Sequence, residues 1–301
     1  MRTEKLRGLL VAALTPLAAD GRIDAGLLAR HAKSLMDQGC DGVALFGTTG
    51  EGQSFSVRER IDALDGVMKA GVAGERIVVG TGCAAVPDAI ELTRHALACD
   101  VAAAMILPAF FWKGQTSAEV AHGVGSVIEG VNDPRLRAIL YHIPQVSAVS
   151  IDPPAVELLR RRFGAVIAGI KDSSADWTHF DCAFTAFPDM LHFVGAEPQF
   201  ARVLEVGGAG TICGLGNLAP QVMARLRDRR SAAADAQREI EALCRFFVDR
   251  PFLPTAKAML AVISGEPAWR RTRAPLLPAS DAAAAEIATA ARDLLGTRRA
   301  A

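Results

Sequence analysis

Short runs of apolar residues alternate with amphipathic stretches along most of the chain. The apolar runs cover residues 9–14, 42–46, 77–80, 103–107, 138–141, 166–171, 191–194 and 210–213, and helix-period stretches lie between them at 24–38, 56–70, 87–99, 117–129, 153–163, 176–187 and 198–206. The runs are apolar throughout rather than at alternate positions, the pattern of strands covered on both faces. Ser56-Val-Arg-Glu59 reads as a capping box that starts a helix. Helix exits leading into a strand echo one another in Gly39-Cys-Asp-Gly-Val-Ala-Leu45, Cys99-Asp-Val-Ala-Ala-Ala-Met105 and Gly207-Gly-Ala-Gly-Thr-Ile-Cys213. Eight such strands predict an α/β fold, a (β/α)8 TIM barrel with additional C-terminal helices, rather than an open doubly wound sheet. No Gly-x-Gly-x-x-Gly follows the first strand, which argues against dinucleotide binding. The strand pattern stops after Ala219, so residues 1–218 are assigned to the barrel and 219–301 to a helical extension packed on it.

Composition narrows the function. The 301 residues are 50% hydrophobic, enough for a large core, and 33 basic residues balance 33 acidic ones. With zero formal charge and no basic block, nucleic acid is not an expected partner. Six scattered cysteines without a Cys-x-x-Cys read as buried reduced thiols, and a cytoplasmic location is expected. No His-x-x-x-His pair occurs, so no protein-only metal site is expected, and His31 and His95, alone in helical stretches, are expected to be solvated. Arg2, Lys5 and Arg7 before Gly8-Leu-Leu-Val-Ala-Ala-Leu14 loosely resemble a secretory leader. That run is short, Pro16 interrupts it, and it reads equally as a first buried strand. No run approaches the ~18 apolar residues of a membrane span.

In such a barrel the chemistry lies at the C-terminal strand ends. Tyr141, the only tyrosine, closes the fifth run, and Lys171 closes the sixth. An amine on the rim of a buried strand is favoured in its neutral form, which attacks carbonyls. Gly47-Thr48-Thr49-Gly50-Glu51 follows the second run; its glycines allow close approach and its successive N–H groups suit an anion. Taken singly, each feature has a plain reading: a βα turn, a solvated lysine, a packed phenol. At neighbouring strand ends around one mouth they define a candidate site.

Gly47-Thr-Thr-Gly-Glu51, Tyr141-His-Ile-Pro144 and Gly169-Ile-Lys-Asp-Ser-Ser174 together resemble the dihydrodipicolinate synthase / N-acetylneuraminate lyase family. The likeness runs across nearly the whole chain and includes Thr15-Pro16, Lys257-Ala-Met-Leu260 and Arg273-Ala-Pro-Leu-Leu-Pro278. The resemblance implies metal-free class I chemistry with no cofactor beyond a covalent imine. Lys171 would form a Schiff base with C2 of pyruvate or a related 2-oxo acid. Gly47, Thr48 and Thr49 would hold the carboxylate, Tyr141 would carry protons with the Thr48 hydroxyl as partner, and Ile212 would line the pyruvate pocket. An aldehyde would be the second reactant, and a homotetramer is expected.

Three departures bear on substrate. Val146 stands where the synthase branch has an arginine for a second carboxylate, so that bidentate anchor is missing. The tyrosine that family members borrow from a neighbouring subunit has no counterpart in Pro108-Ala-Phe-Phe-Trp-Lys113, so the relay is either shortened to Thr48 and Tyr141 or completed by water or His142, with Phe110-Phe111-Trp112 read as a subunit contact. Glu197 matches a hydroxyl-binding position, but Gly214 replaces a serine, which favours a shorter or less polar acceptor than a sialic acid. The leading expectation is an aldolase for a 4-hydroxy-2-oxo acid or a 2-keto-3-deoxy sugar acid. The alternatives are 4-hydroxy-tetrahydrodipicolinate synthase, a keto-deoxy sugar acid dehydratase, or a non-catalytic 2-oxo acid binder, and a pure binder need not keep Lys171, Tyr141 and Thr48 together.

Overall fold

The computed structural model describes residues 6–228 and 233–295. Arg2 and Lys5 of the leader-like segment therefore lie outside the described residues. Eight strands close a parallel barrel in sequence order: β1 (Gly8–Ala12), β2 (Gly42–Leu45), β3 (Ile77–Gly80), β4 (Ala103–Ile106), β5 (Ala138–His142), β6 (Ile167–Asp172), β7 (Leu191–Val194) and β8 (Gly210–Cys213). The run that resembled a leader is thus β1, paired with β2 on one side and β8 on the other.

The barrel explains why the strands lack polar alternation. Inward side chains form one cluster that includes Leu10, Ala12, Val78, Met105, Ile139, Phe193 and Ile212. Outward ones such as Leu9, Val11, Val43, Leu45, Ile77 and Val79 pack under the helices. Both faces are dry, and each fully buried Val, Leu or Ile contributes about 1.5–3 kcal/mol. Helices follow the strands at Ala25–Asp37, Val57–Lys69, Val86–Ala98, Ser117–Val131, Pro153–Phe163, Trp177–Ala186, Phe200–Glu205 and Pro220–Arg227. Ser56 caps Val57–Lys69 in a full capping box with Glu59. Pro220–Arg227 places Met223 and Leu226 in the same cluster as Leu9 and Val11, completing the helical ring outside β1.

Three further helices, Ala233–Phe247, Phe252–Ser264 and Asp281–Leu295, cover the barrel beyond that ring. Ala256, Met259 and Leu260 pack with Leu14, Leu215, Leu218 and Trp269, which brings the second of these helices to the C-terminal rim near β1 and β8. Asn217 stitches the same seam: its amide donates to Ala12 O at 2.8 Å and its Oδ1 accepts from Leu14 N at 3.0 Å. His31 is not solvated as its helical setting suggested. Its Nε2 meets the Asn217 Oδ1 at 2.9 Å, its ring lies edge-on to Trp269, and burial lowers its pKa to about 4. His95 also has partners, on a neighbouring helix and its own. Among the described residues no helix is long and apolar enough to cross a membrane.

Candidate active site

Strand register assembles the site. Regular pairing from Ala138↔Ile167 would set Tyr141 beside Ile170, but an irregularity after Ala138 advances β6 by one residue. Tyr141 therefore pairs with Lys171, and His142 with Asp172. Because side chains alternate along a strand, one residue of slip would exchange the faces of the whole set. Here Tyr141 lies in the inner cluster beneath the mouth, while His142 and Asp172 point away from it to meet a helix outside.

Lys171 is 4% exposed, and its Nζ lies 4.3 Å from the centre of the Tyr141 ring. The Tyr141 hydroxyl is 3.2 Å from Thr48 Oγ1. Burial by itself would raise the Tyr141 pKa; the Lys171 charge and hydrogen bonds with Thr48, Ser173 and Lys171 outweigh it and lower the value below 10.0. Ser173 belongs to a motif visible in the sequence, yet no role was assigned to it. Its spacing was the available signal, since a residue two beyond Lys171 falls on the same face of the chain.

The Gly47–Glu51 turn borders this pair. Phe46 and Glu51 both adopt left-handed backbone, with φ of 57° and 55°. Gly50 is needed for close packing, because a Cβ there would lie 2.9 Å from Phe46 N and 3.0 Å from Ala13 O. Thr15 Oγ1 donates to Gly50 O at 2.7 Å, tying the turn to the segment after β1. The N–H groups of Thr48 and Thr49 donate to no protein acceptor among the described residues. Adjacent free donors beside a buried amine suit a carboxylate.

Beneath the turn, Glu51 Oε1 forms an ion pair with Lys257 of the helix Phe252–Ser264, both side chains being fully buried. Glu51 Oε2 accepts from Arg273 N at 3.0 Å. The cradle therefore hangs on two C-terminal segments far away in sequence. Burial lowers the Lys257 pKa, and Glu51 opposes that shift.

Other expected residues are placed as follows. Ile212 is fully buried in the inner cluster with Tyr141. Glu197 Oε1 accepts from Gly214 N and Leu215 N, each at 2.9 Å, so that oxygen braces the turn after β8 instead of facing a substrate hydroxyl. Burial raises its pKa, against the pull of those backbone donors. Gly214 faces Phe252: a Cβ at 214 would lie 2.6 Å from the Phe252 ring and 3.4 Å from Thr49 Oγ1. An aromatic edge thus fills the space a serine side chain would need. Val146 is 60% exposed on the one-turn helix Pro144–Ser147 after β5.

His142 does not reach the relay. Its Nδ1 accepts from Ile151 N at 3.0 Å, and its ring stacks on His179 with centres 3.8 Å apart. His179 Nδ1 is 2.6 Å from Asp172 Oδ2 and its Nε2 is 2.9 Å from Ile151 O. Both His179 nitrogens face acceptors, an arrangement that favours the protonated ring. Burial alone would lower the His179 pKa; Asp172 and the Ile151 carbonyl outweigh it and raise the value above 6.5. Burial, then the neighbouring His179 charge, lowers His142 to about 4. This clamp holds the ends of β5 and β6 together directly behind Tyr141 and Lys171.

A closed eight-stranded barrel with a buried lysine, a phenol and an anion cradle at one mouth defines the TIM-barrel lyase class. The chain belongs to the dihydrodipicolinate synthetase family, whose model matches residues 5–294. It is 34% identical over 289 residues to an uncharacterized DapA-like lyase of Chloroflexus aurantiacus, covering 94% of this chain and 95% of the relative. The dihydrodipicolinate synthase structure from Agrobacterium tumefaciens superposes with a TM-score of 0.88 at 30% identity, covering 96% of this chain and 99% of that one. The fold is also that of a sialic acid aldolase from Ruminococcus gnavus, with a TM-score of 0.88, 22% identity and 97% and 96% of the two chains covered. Like its family, the chain is a carbon–carbon lyase.

Proposed function

We propose that this enzyme is a Schiff-base aldolase that splits or forms a 4-hydroxy-2-oxo acid or a 2-keto-3-deoxy sugar acid, with pyruvate and an aldehyde as the other side of the reaction. The observation that carries this reading is the Lys171 amine, buried at the barrel mouth 4.3 Å from the Tyr141 ring, beside the Thr48 and Thr49 N–H groups, which meet no acceptor among the described residues. Lys171 Nζ adds to C2 of the substrate while the cradle of Gly47, Thr48 and Thr49 holds its carboxylate. Tyr141 moves the proton that lets the carbinolamine lose water, leaving an iminium. The C3–C4 bond then breaks, its electron pair passing into the iminium to give an enamine. The proton of the 4-hydroxyl leaves through Tyr141 and Thr48 as the aldehyde departs. Protonation at C3 and hydrolysis release pyruvate and free Lys171. The iminium is the electron sink, so the sequence of steps calls for no metal or further cofactor. Ser173, within hydrogen-bonding reach of the Tyr141 hydroxyl, supplies a group on the side where His142 does not.

Two features favour a short or weakly polar aldehyde. Phe252 occupies the wall beside Gly214, and Glu197 Oε1 is committed to backbone donors. Exposed Val146 offers no anchor for a second carboxylate, which counts against the synthase reaction. Phe111 and Trp112, 67% and 72% exposed on the loop after β4, are the surface we assign to contact with a second copy in a homotetramer.

The test is borohydride reduction in the presence of pyruvate, followed by intact mass. A stable adduct that disappears in Lys171→Ala supports the imine. No adduct with pyruvate or any 2-oxo acid would overturn it. Turnover of a panel of 4-hydroxy-2-oxo and 2-keto-3-deoxy acids then names the acceptor.

A further inference from the structure

The outer wall carries a second group of reactive side chains. Asp65 projects from the helix Val57–Lys69, His95 from the helix Val86–Ala98, and Cys99 caps the end of that second helix. His95 Nε2 is 2.9 Å from Asp65 Oδ1 and 3.5 Å from Cys99 Sγ, and Cys99 Sγ is 3.8 Å from Asp65 Oδ1. One oxygen, one nitrogen and one sulfur therefore form a small triangle. We propose that Asp65, His95 and Cys99 form a site for a thiophilic divalent cation of the zinc type, with the fourth corner open to water.

The triangle's dimensions carry the proposal. Zinc bonds of about 2.3 Å to sulfur and 2.0–2.2 Å to nitrogen and oxygen, set at tetrahedral angles, separate the donors by about 3.3 Å (N to O) and 3.5 Å (N to S and O to S). The three observed separations lie within about 0.4 Å of that face, a gap the partly exposed Asp65 closes by a small rotation. Without an ion the Cys99 thiol donates to this carboxylate over 3.8 Å. Mixed sulfur, nitrogen and oxygen donors in tetrahedral array favour zinc over magnesium or calcium. Both helices also end nearby, and the negative ends of their dipoles favour a cation.

The other compact trio on the barrel lacks this property. Asp172 and His179 are only 2.6 Å apart, and the Ile151 backbone meets His142 Nδ1 and His179 Nε2. Their ring nitrogens and carboxylate are already engaged with one another and with the Ile151 backbone.

Binding at Asp65, His95 and Cys99 is a simple exchange. The S–H bond of Cys99 breaks, a sulfur–metal bond forms, and the proton passes to solvent with no change of oxidation state. The trio sits where helices end, at the rim opposite the strand C-termini, so it is separate from the Lys171 site.

The test is a cobalt(II) titration of the metal-stripped full chain. We expect a saturable thiolate-to-cobalt charge-transfer band and strong visible bands of tetrahedral cobalt at one ion per chain, both displaced by added zinc. Cys99→Ser should abolish the charge-transfer band, and Asp65→Asn, at an exposed position, should weaken binding by about tenfold or more. Lys171→Ala should bind as wild type does, and the borohydride adduct with pyruvate should persist in Cys99→Ser. Absence of the band in the wild type, or its persistence in Cys99→Ser through another thiol such as exposed Cys182, would overturn the proposal. So would unchanged affinity in Asp65→Asn.

Discussion

Replacing Glu51 by Gln isolates what the buried Glu51–Lys257 pair does for the cradle. The substitution keeps shape and leaves an ammonium at a position with 0% side-chain exposure. Breaking a buried pair by removing one partner typically costs about 3–5 kcal/mol. Lys257 has an escape, because it can drop its proton. Doing so costs about 1.4 kcal/mol for each pH unit between the assay and the ordinary lysine value of 10.5, a ceiling of about 5 kcal/mol at pH 7. The sign follows from proton counting. In the variant, folded Lys257 binds less proton than the unfolded chain, so stability rises with pH up to 10.5. In urea denaturation the variant should be less stable than wild type by about 3–5 kcal/mol at pH 7, and the gap should close by up to about 1.4 kcal/mol per unit toward pH 9. Because Glu51 ends the Thr48–Thr49 turn, the KM for the 2-oxo acid should rise as well. A gap below about 1 kcal/mol, or one that does not change with pH, would refute the claim that this pair is a dry ion pair anchoring the turn.

Other substitutions test the neighbouring parts. Tyr141→Phe should lower kcat by about 100-fold or more while keeping the borohydride adduct, and turnover within twofold of wild type would remove the phenol from the mechanism. Ser173→Ala deletes a hydrogen bond that lowers the Tyr141 pKa, so the alkaline limb of the rate profile should move up; an unmoved limb separates Ser173 from the relay. Gly214→Ser should cost activity and stability by collision with Phe252, and adding Phe252→Ala should recover stability and broaden acceptor use toward hydroxylated aldehydes. A double variant no better than Gly214→Ser alone would mean that Phe252 is not the obstacle. His179→Gln should lose the stabilisation of the Asp172 clamp. With His179 raised above 6.5, that stabilisation is complete below pH 6.5 and fades as pH climbs through the raised value. With Asp172 held below 3.8 by its His179 and Ser174 hydrogen bonds, which outweigh burial, it persists above pH 3.8 and is lost below. Denaturation midpoints of wild type and variant should therefore differ most between pH 4 and 6.5, and equal midpoints there would dismiss the clamp.

The pattern of residues alone determined the eight strands and their order, and it marked the strand ends where the candidate site gathers. This worked because a strand dry on both faces must be apolar throughout, and because few residues can serve as a buried amine or phenol. Lys171, Tyr141 and the Gly47–Thr49 turn were legible for that reason. Only the folded chain decided which side chains face one another. The irregularity at Ala138 sets Tyr141 beside Lys171 and His142 beside Asp172, and no local propensity encodes a register shared between strands. The Glu51–Lys257 pair, the Phe252 edge over Gly214 and the Asp65–His95–Cys99 triangle each join segments that the chain keeps apart. Their energies depend on distance and burial, quantities that exist only after the barrel has closed.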